Sequence, residues 1–351
     1  VSATTVSRVL NNSSIPSEET RQAVLAAADE LGYRPDPILS EAVRRRRRGE
    51  TGDRSRTRMI AFLVMPTFYS SVGSSDGRYT DVLAGVQSVL DAAGHHLLFS
   101  SYDPDYDAIP ASVAENRVDG LLIWSNPPPA TLLRLTRMLP TVIAERYVED
   151  LPADMVLYDH EKSMRLMLQH LWDLGHRHIA ILDQDHPSTP QRLRQTGAQQ
   201  FFQHHPMPAS ITTLSRPRPI SPTTNEQVAD QFIEDLRKTE PRPTAVVLGD
   251  RGLGRIFIER SHAAGLDVPG ELSVATLQDH MLNTYCDPQV TTFIVPTRAI
   301  GCAAAEMLLQ RIEDPQCPPR ELRILGQRVD RQSVAPPRGV VEVSTMKSRT
   351  S

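Results

Sequence analysis

VSATTVSRVLNNSS, residues 1–14, is the stretch on which the reading of this chain turns. Ser2 is a good N-cap, because its hydroxyl accepts from the free backbone N–H groups of the turn that follows. No Gly or Pro interrupts residues 3–10, and Val6, Val9 and Leu10 fall at i, i+3 and i+4 as one apolar stripe. Thr4, Thr5, Ser7, Arg8 and Asn11 are left to the other faces. That inventory suits a helix in a DNA major groove, with hydroxyls and an amide for phosphate oxygens and an Arg for bidentate contact with guanine. On composition alone, an amphipathic helix with a solvated polar face fits equally well.

Working outward, residues 11–16 form a polar turn. Ser17 caps a second helix, with Val24, Ala27, Ala28 and Leu31 as its apolar stripe and Gly32 as its stop. Tyr33-Arg34-Pro35-Asp36-Pro37 is an extended joint, since each residue before a Pro is pushed away from the α region. Residues 38–48 read as a short helix ending in five consecutive arginines at 44–48, and residues 50–57 as a polar linker.

The wording VSxxTVSRVLN, followed by Ser17-Glu18-Glu19-Thr20-Arg21 and Leu31-Gly32-Tyr33-Arg34-Pro35, closely resembles the N-terminal helix-turn-helix module of the LacI/GalR family of bacterial repressors. The resemblance implies that Ala3, Thr4 and Arg8 read bases while Ser2, Thr5, Ser7 and Asn11 hold phosphates. It places the family's first helix before Val1, so the module is read as partial, with Val6, Val9, Val24 and Leu31 short of cover. It also implies a hinge helix that wedges a Leu into the minor groove. Here Ala42 stands at that position, with Leu39 and Val43 beside it. The arginine run would then supply electrostatic contacts, or serve only as a solvated basic linker.

Composition sets the bounds. A chain of 351 residues, 40% hydrophobic and 23% charged, has material for more than one globular core. Its net charge of −4 argues against indiscriminate coating of nucleic acid, yet Arg54, Arg56 and Arg58 follow the arginine run and gather basic charge near the N-terminal end. Cys286, Cys302 and Cys317 are too scattered for a disulfide framework or a metal site, so free thiols are expected. No apolar run approaches the roughly 20 residues of a membrane span and no leader is visible, so a cytoplasmic protein without membrane contact is expected.

From Met59 the pattern becomes strand and helix in alternation. Residues 59–65 are continuously apolar, as a strand covered on both faces should be, and residues 80–93 are an amphipathic helix ended by Gly94. Strands follow at 96–100, 120–124, 141–144, 179–182, 245–248 and 272–276. The alternation predicts an α/β fold with parallel sheets, and about ten strand segments favour two sheets over one. Val118-Asp119-Gly120, the run from Leu174 to Ala180, Arg192-Leu193-Arg194 with Gly197, the run from Val268 to Val274, and Val290-Thr291-Thr292 resemble the same family's effector domain. The resemblance implies two Rossmann-like subdomains of the periplasmic-binding-protein type I fold after the all-α module. The expected layout is a partial helix-turn-helix at 1–35, hinge and linker at 36–58, an effector domain at 59–337 and a disordered tail at 338–351. Within the effector domain the N-subdomain takes 59–157 and 293–324, and the C-subdomain 158–292 and 325–337.

Ligands of open α/β sheets collect beyond the C-terminal strand ends. That rule marks Tyr79, Trp124, Glu145, Arg194, Asp250 and Gln278, with Ser125, Asn126 and Arg146 in the same strand-end stretches. Flat rings plus paired hydrogen-bonding groups suit a sugar. Trp124 serves as well for core filling, Asp250 for capping a helix, and Arg194 for a helix surface. The resemblance makes the counterpart of Arg194 an effector ligand; Gly249 for Asn, Gln278 for Asp and Glu145 for Asp are departures that leave the effector's identity open. GDRGLG at 249–254 is not GxGxxG, GxSxG and HExxH are absent, and the histidines lack partners at ligand spacing. No catalytic activity, cofactor or metal is therefore expected. The expected partners are double-stranded operator DNA, a small-molecule effector and a second copy of the chain. A sugar-binding transport protein of the same fold is the alternative, and a sugar-modifying enzyme a third.

Overall fold

The computed structural model describes residues 1–10, 16–31, 57–65, 78–103, 108–115, 117–185, 188–205, 211–217 and 225–338. At the N-terminal end lie α1 (Ala3–Leu10) and α2 (Glu18–Glu30), started by Ser2 and Ser17 as their sequence predicts. The Ser2 hydroxyl accepts from the Thr5 N–H at 3.2 Å, and that of Ser17 from the Thr20 N–H at 3.4 Å. Val9 and Val24 are the buried apolar residues of this pair. Leu31, expected in the buried stripe, is instead 82% exposed and already forms the C-cap, and Ala27 is exposed too. The expected hinge helix at 38–48 lies outside the described residues, as does the tail from 339. Arg338, the first residue of the expected tail, is anchored by an ion pair to Asp267.

Strands and helices then alternate: β1 (Met59–Val64), α3 (Arg78–Ala92), β2 (His96–Ser101), α4 (Ala111–Ala114), β3 (Gly120–Trp124), α5 (Pro129–Met138), β4 (Thr141–Ala144) and β5 (Asp154–Tyr158). A second series follows with α6 (His160–Asp173), β6 (Ile179–Asp185), α7 (Thr189–His204), β7 (Ile211–Pro217), α8 (Asn225–Lys238), β8 (Ala245–Leu248), α9 (Gly254–Ala263) and β9 (Ser273–Thr276). The chain closes with β10 (Thr292–Ile294), α10 (Thr297–Glu313), β11 (Glu321–Ile324) and β12 (Gln327–Val329). These make two parallel sheets. The first has the order β11-β5-β4-β3-β1-β2 and the second β7-β6-β8-β9, with β10 and β12 paired antiparallel beside it through a bridge from Ala275 to Thr291.

Strand alternation divides the cores. Ala61, Leu63, Leu121 and Ile123 face a cluster with Val113, Leu132 and Leu135, while Ile60, Phe62, Val64 and Leu122 face α3 and α10. That second cluster runs on without a break into the second sheet through Tyr158, Leu277 and Phe293. α3 and α10 cross closely because each has a glycine at the contact: a Cβ on Gly85 would lie 2.2 Å from the Arg298 carbonyl oxygen, and one on Gly301 2.3 Å from that of Val82. Gly301→Ala should therefore cost about 1–3 kcal/mol in urea unfolding by forcing the helices apart. No measurable loss would mean that the pair can part freely.

The chain passes between the sheets three times, after β5, after β10 and after β11. The crossings brace one another. The Asp159 N–H donates to the Ile324 carbonyl at 2.9 Å, and the buried Tyr158 hydroxyl donates to the Leu277 carbonyl at 3.0 Å. Gly326 has no room for a side chain, since its Cβ would meet the Ile294 carbonyl oxygen at 2.4 Å and the Tyr158 ring at 3.0 Å.

Candidate functional site

The strand ends of the first sheet form an open pocket of about 180 Å³. Met65 follows β1, Trp124 ends β3 with Ser125 and Asn126 beyond it, Ala144 ends β4 with Glu145 and Arg146 beyond it, and Tyr79 comes from the first turn of α3. Tyr79 and Trp124 also pack against the central core, so Trp124 is both filler and pocket wall. Glu145 sits at φ 61, in the left-handed region that costs a non-glycine residue on the order of 1 kcal/mol. Two bonds hold it there: its N–H donates to the Val156 carbonyl at 2.8 Å, and its Oε1 accepts from the Tyr158 N–H at 2.7 Å. Arg146 donates through Nη1 to the Pro127 carbonyl at 2.5 Å, and partial burial lowers its pKa from the ordinary guanidinium value. The Ser125 hydroxyl is buried without a hydrogen-bond partner among the described residues.

Opposite chemistry gathers at the strand ends of the second sheet. Arg194 on α7 is buried, and its Nε and Nη2 donate to the two carboxylate oxygens of Asp183 at 2.7 and 2.8 Å. Asp183, likewise buried, stands on β6 where a Cβ on Gly249 would come within 2.5 Å of its carboxyl group. A glycine at 249 is thus the condition for this ion pair. Asp250 accepts from the Gly252 N–H at 2.8 Å and caps the short 3-10 turn that follows. Gln278 is half-buried next to Asp279, which Arg331 grips with two bonds at 3.1 and 2.8 Å. Across the two halves, the Thr189 hydroxyl accepts from the Tyr147 N–H at 3.3 Å and donates to the Tyr147 carbonyl at 3.2 Å.

Of the six expected effector residues, Tyr79, Trp124 and Glu145 line one pocket, while Arg194, Asp250 and Gln278 sit at the ends of the other sheet and outside that lining. Asp183 was not foreseen. Its only sequence signal is an acid directly after the apolar run 179–182, paired in space with a glycine after another strand. On α1, Thr5 bonds to Ser2 through their hydroxyls at 2.9 Å and Arg8 is half-exposed. Ala3, Thr4 and Ser7 are placed on the helix by their backbone, and Asn11, Leu39 and Ala42 lie outside the described residues. Among the described residues no cluster of three or more acids, histidines or cysteines is arranged to hold a metal, and no helix is long and apolar enough to cross a membrane.

Two parallel sheets joined by three crossings, with a pocket at the strand ends of the first, define a two-lobed binding domain, preceded in the sequence by a short helical pair. Residues 1–36 match the bacterial regulatory proteins of the lacI family and residues 168–334 the periplasmic binding protein-like domain, together more than half of the chain. The N-terminal module is thus of the lacI type, and the chain is a DNA-binding transcriptional regulator. It is 29% identical over 346 residues to the HTH-type transcriptional repressor PurR of Aliivibrio fischeri, covering 95% of each chain. The PurR of Vibrio parahaemolyticus is 28% identical over 341 residues, again with 95% of each covered. Among solved structures, the regulator CelR in complex with cellobiose and the lac repressor dimer bound to operator and the anti-inducer ONPF each superpose with a TM-score of 0.66 at 22% identity. Each of these covers 95% of this chain and 96% of its own. A ribose-bound LacI family regulator from Enterococcus faecium gives a TM-score of 0.63 at 20% identity over 79% of this chain and 99% of its own.

Proposed function

We propose that the chain is a cytoplasmic, homodimeric repressor whose hold on operator DNA is set by a small molecule, such as a sugar, bound between the two lobes. The convergence of Tyr79, Trp124 and Glu145 on one strand-end pocket carries the reading, in a chain whose first 36 residues match a DNA-binding family. In this reading Ser2, Ala3, Thr4, Thr5, Ser7, Arg8 and Asn11 meet DNA, Leu39 and Ala42 meet it from the hinge, and Arg194, Asp250 and Gln278 face the effector from the second lobe. Cellobiose and ribose in the related structures support a sugar, and the operator-bound dimer supports two copies reading two half-sites. The ligand regulates only through different affinities for the open and closed arrangements. A gel shift against the DNA upstream of the protein's own gene tests the reading. A specific shift that a sugar relieves or strengthens is expected; sugar binding with no specific shift would favour a transport receptor.

Arg8 provides a sharper test. Arg8→Ala should cost about 1–3 kcal/mol on the specific site and relax preference at one base of each half-site. Neutralising the arginines at 44–48 should instead weaken all sequences alike and flatten the salt dependence. If both variants behaved alike, Arg8 would be a phosphate anchor.

A further inference from the structure

Arg194 is buried and Arg311 and Arg331 are partly so, and each grips a carboxylate: Asp183, Asp154 and Asp279. Arg146 has no such carboxylate among the described residues, and unlike Arg177, which lies over the Trp172 ring, it faces a pocket. It is the cation among the side chains lining the strand-end pocket, half-buried, bonded to the Pro127 carbonyl and without an ion pair among the described residues. Its neighbour Glu145 accepts from the Tyr158 amide through Oε1. Burial weighs against the Arg146 charge, as its lowered pKa reflects. Beside it, among the described residues, the hydroxyl of the buried Ser125 has no partner and the Asn126 amide reaches only the Met65 sulfur, at 4.0 Å. A partly desolvated charge, and a buried hydroxyl with no partner among the described residues, are costly around one cavity unless a ligand completes them, and the charge asks for an acidic one.

We propose that this pocket takes an acidic ligand, a small molecule whose carboxylate or phosphate is held by Arg146 and the Ser125 hydroxyl while Trp124 and Tyr79 cover its apolar face. The inference rests on the reading of the cleft as the effector site and narrows the ligand from sugars in general to sugar acids and sugar phosphates. A guanidinium offers such a group two parallel N–H donors, and the serine adds a third. Neutral sugars leave the guanidinium without its counter-charge.

The test uses full-length protein with Trp172→Phe, which leaves Trp124 as the sole tryptophan of the 2 in the chain and touches no pocket residue. Trp124 emission and thermal shift are followed with glucose, gluconate, glucose 6-phosphate, ribose, ribose 5-phosphate and inorganic phosphate. An acidic member should bind roughly tenfold or more tightly than its neutral parent, and Arg146→Gln should erase the difference, as for one charge-assisted contact. Competition by inorganic phosphate identifies a phosphate ligand, and a gluconate response without it a carboxylate. A neutral sugar that moves Trp124 and binds wild type and Arg146→Gln equally would overturn the acidic ligand while sparing the cleft. An acidic compound that binds without moving Trp124 and ignores Arg146→Gln would overturn the cleft reading as well, and so would no response to any compound.

Discussion

Asp183→Ala should destabilise the protein by about 3–5 kcal/mol, because it leaves the buried Arg194 guanidinium without its counter-charge. Asp183→Ala combined with Arg194→Met should recover most of that loss, since well-packed apolar groups often replace a buried ion pair at little cost. Urea unfolding of wild type, the single variant and the double variant measures both. A double variant no better than the single would show that the pair is not the source of the loss. The same reasoning changes what Arg194→Ala tests. With Asp183 buried against Arg194, that variant strands a carboxylate and should lose stability together with any ligand response. Arg194→Lys keeps the charge but not the two-pronged geometry, and is the better probe of ligand contact.

Acid should cost the protein about 3 kcal/mol between pH 6.5 and pH 4 through His176 alone. The ring is 1% exposed, and burial lowers its pKa to about 4, against which the Ala335 carbonyl pulls upward. That carbonyl only accepts, so Nε2 carries the proton at 2.9 Å from it, and Nδ1 lies 2.9 Å from the Thr244 hydroxyl. With the folded pKa below the unfolded one, the unfolded chain binds the proton first. The stabilisation is therefore complete above about pH 6.5 and disappears as pH falls toward 4. His176→Gln should flatten that part of the pH profile while losing some stability at neutral pH. Parallel acid losses in both proteins, followed by urea unfolding at several pH values, would clear His176.

Much of the fold is legible in the sequence, and the exceptions have physical causes. Strands β1, β3, β4 and β8 are continuous apolar runs that water-exposed helices do not show. Strand β5 hides because it begins with Asp154, a charge that is acceptable inside only through Arg311 and Arg320, more than 150 residues downstream. The edge strand β11 (ELRI) and the short β12 (QRV) look like loop, since their faces are half solvated, and β7 (ITTLSRP) ends in Arg and Pro. For the site, strand ends mark residues 124–126 and 145–146 directly, and these line the pocket. No spacing rule reveals that Arg194 would turn to Asp183, because that depends on which face of α7 lies against β6 and on the empty place at Gly249.

The triple crossing has a mechanical consequence. A body tied to another at one point keeps three rotations and at two points one; a third tie removes even that unless the ties themselves bend. Relative motion of the lobes must therefore be drawn from flexing at Tyr158, Ile294 and Ile324, where Gly326, sealed under the Tyr158 ring, admits little play. What freedom is left comes from bending at the ties, and the two bonds between Thr189 and Tyr147 join the lobes as well, so that parting them there has to break both. Thr189→Val removes both bonds without touching pocket or crossing and should shift the lobes toward the open arrangement, which small-angle scattering would register as a larger radius of gyration.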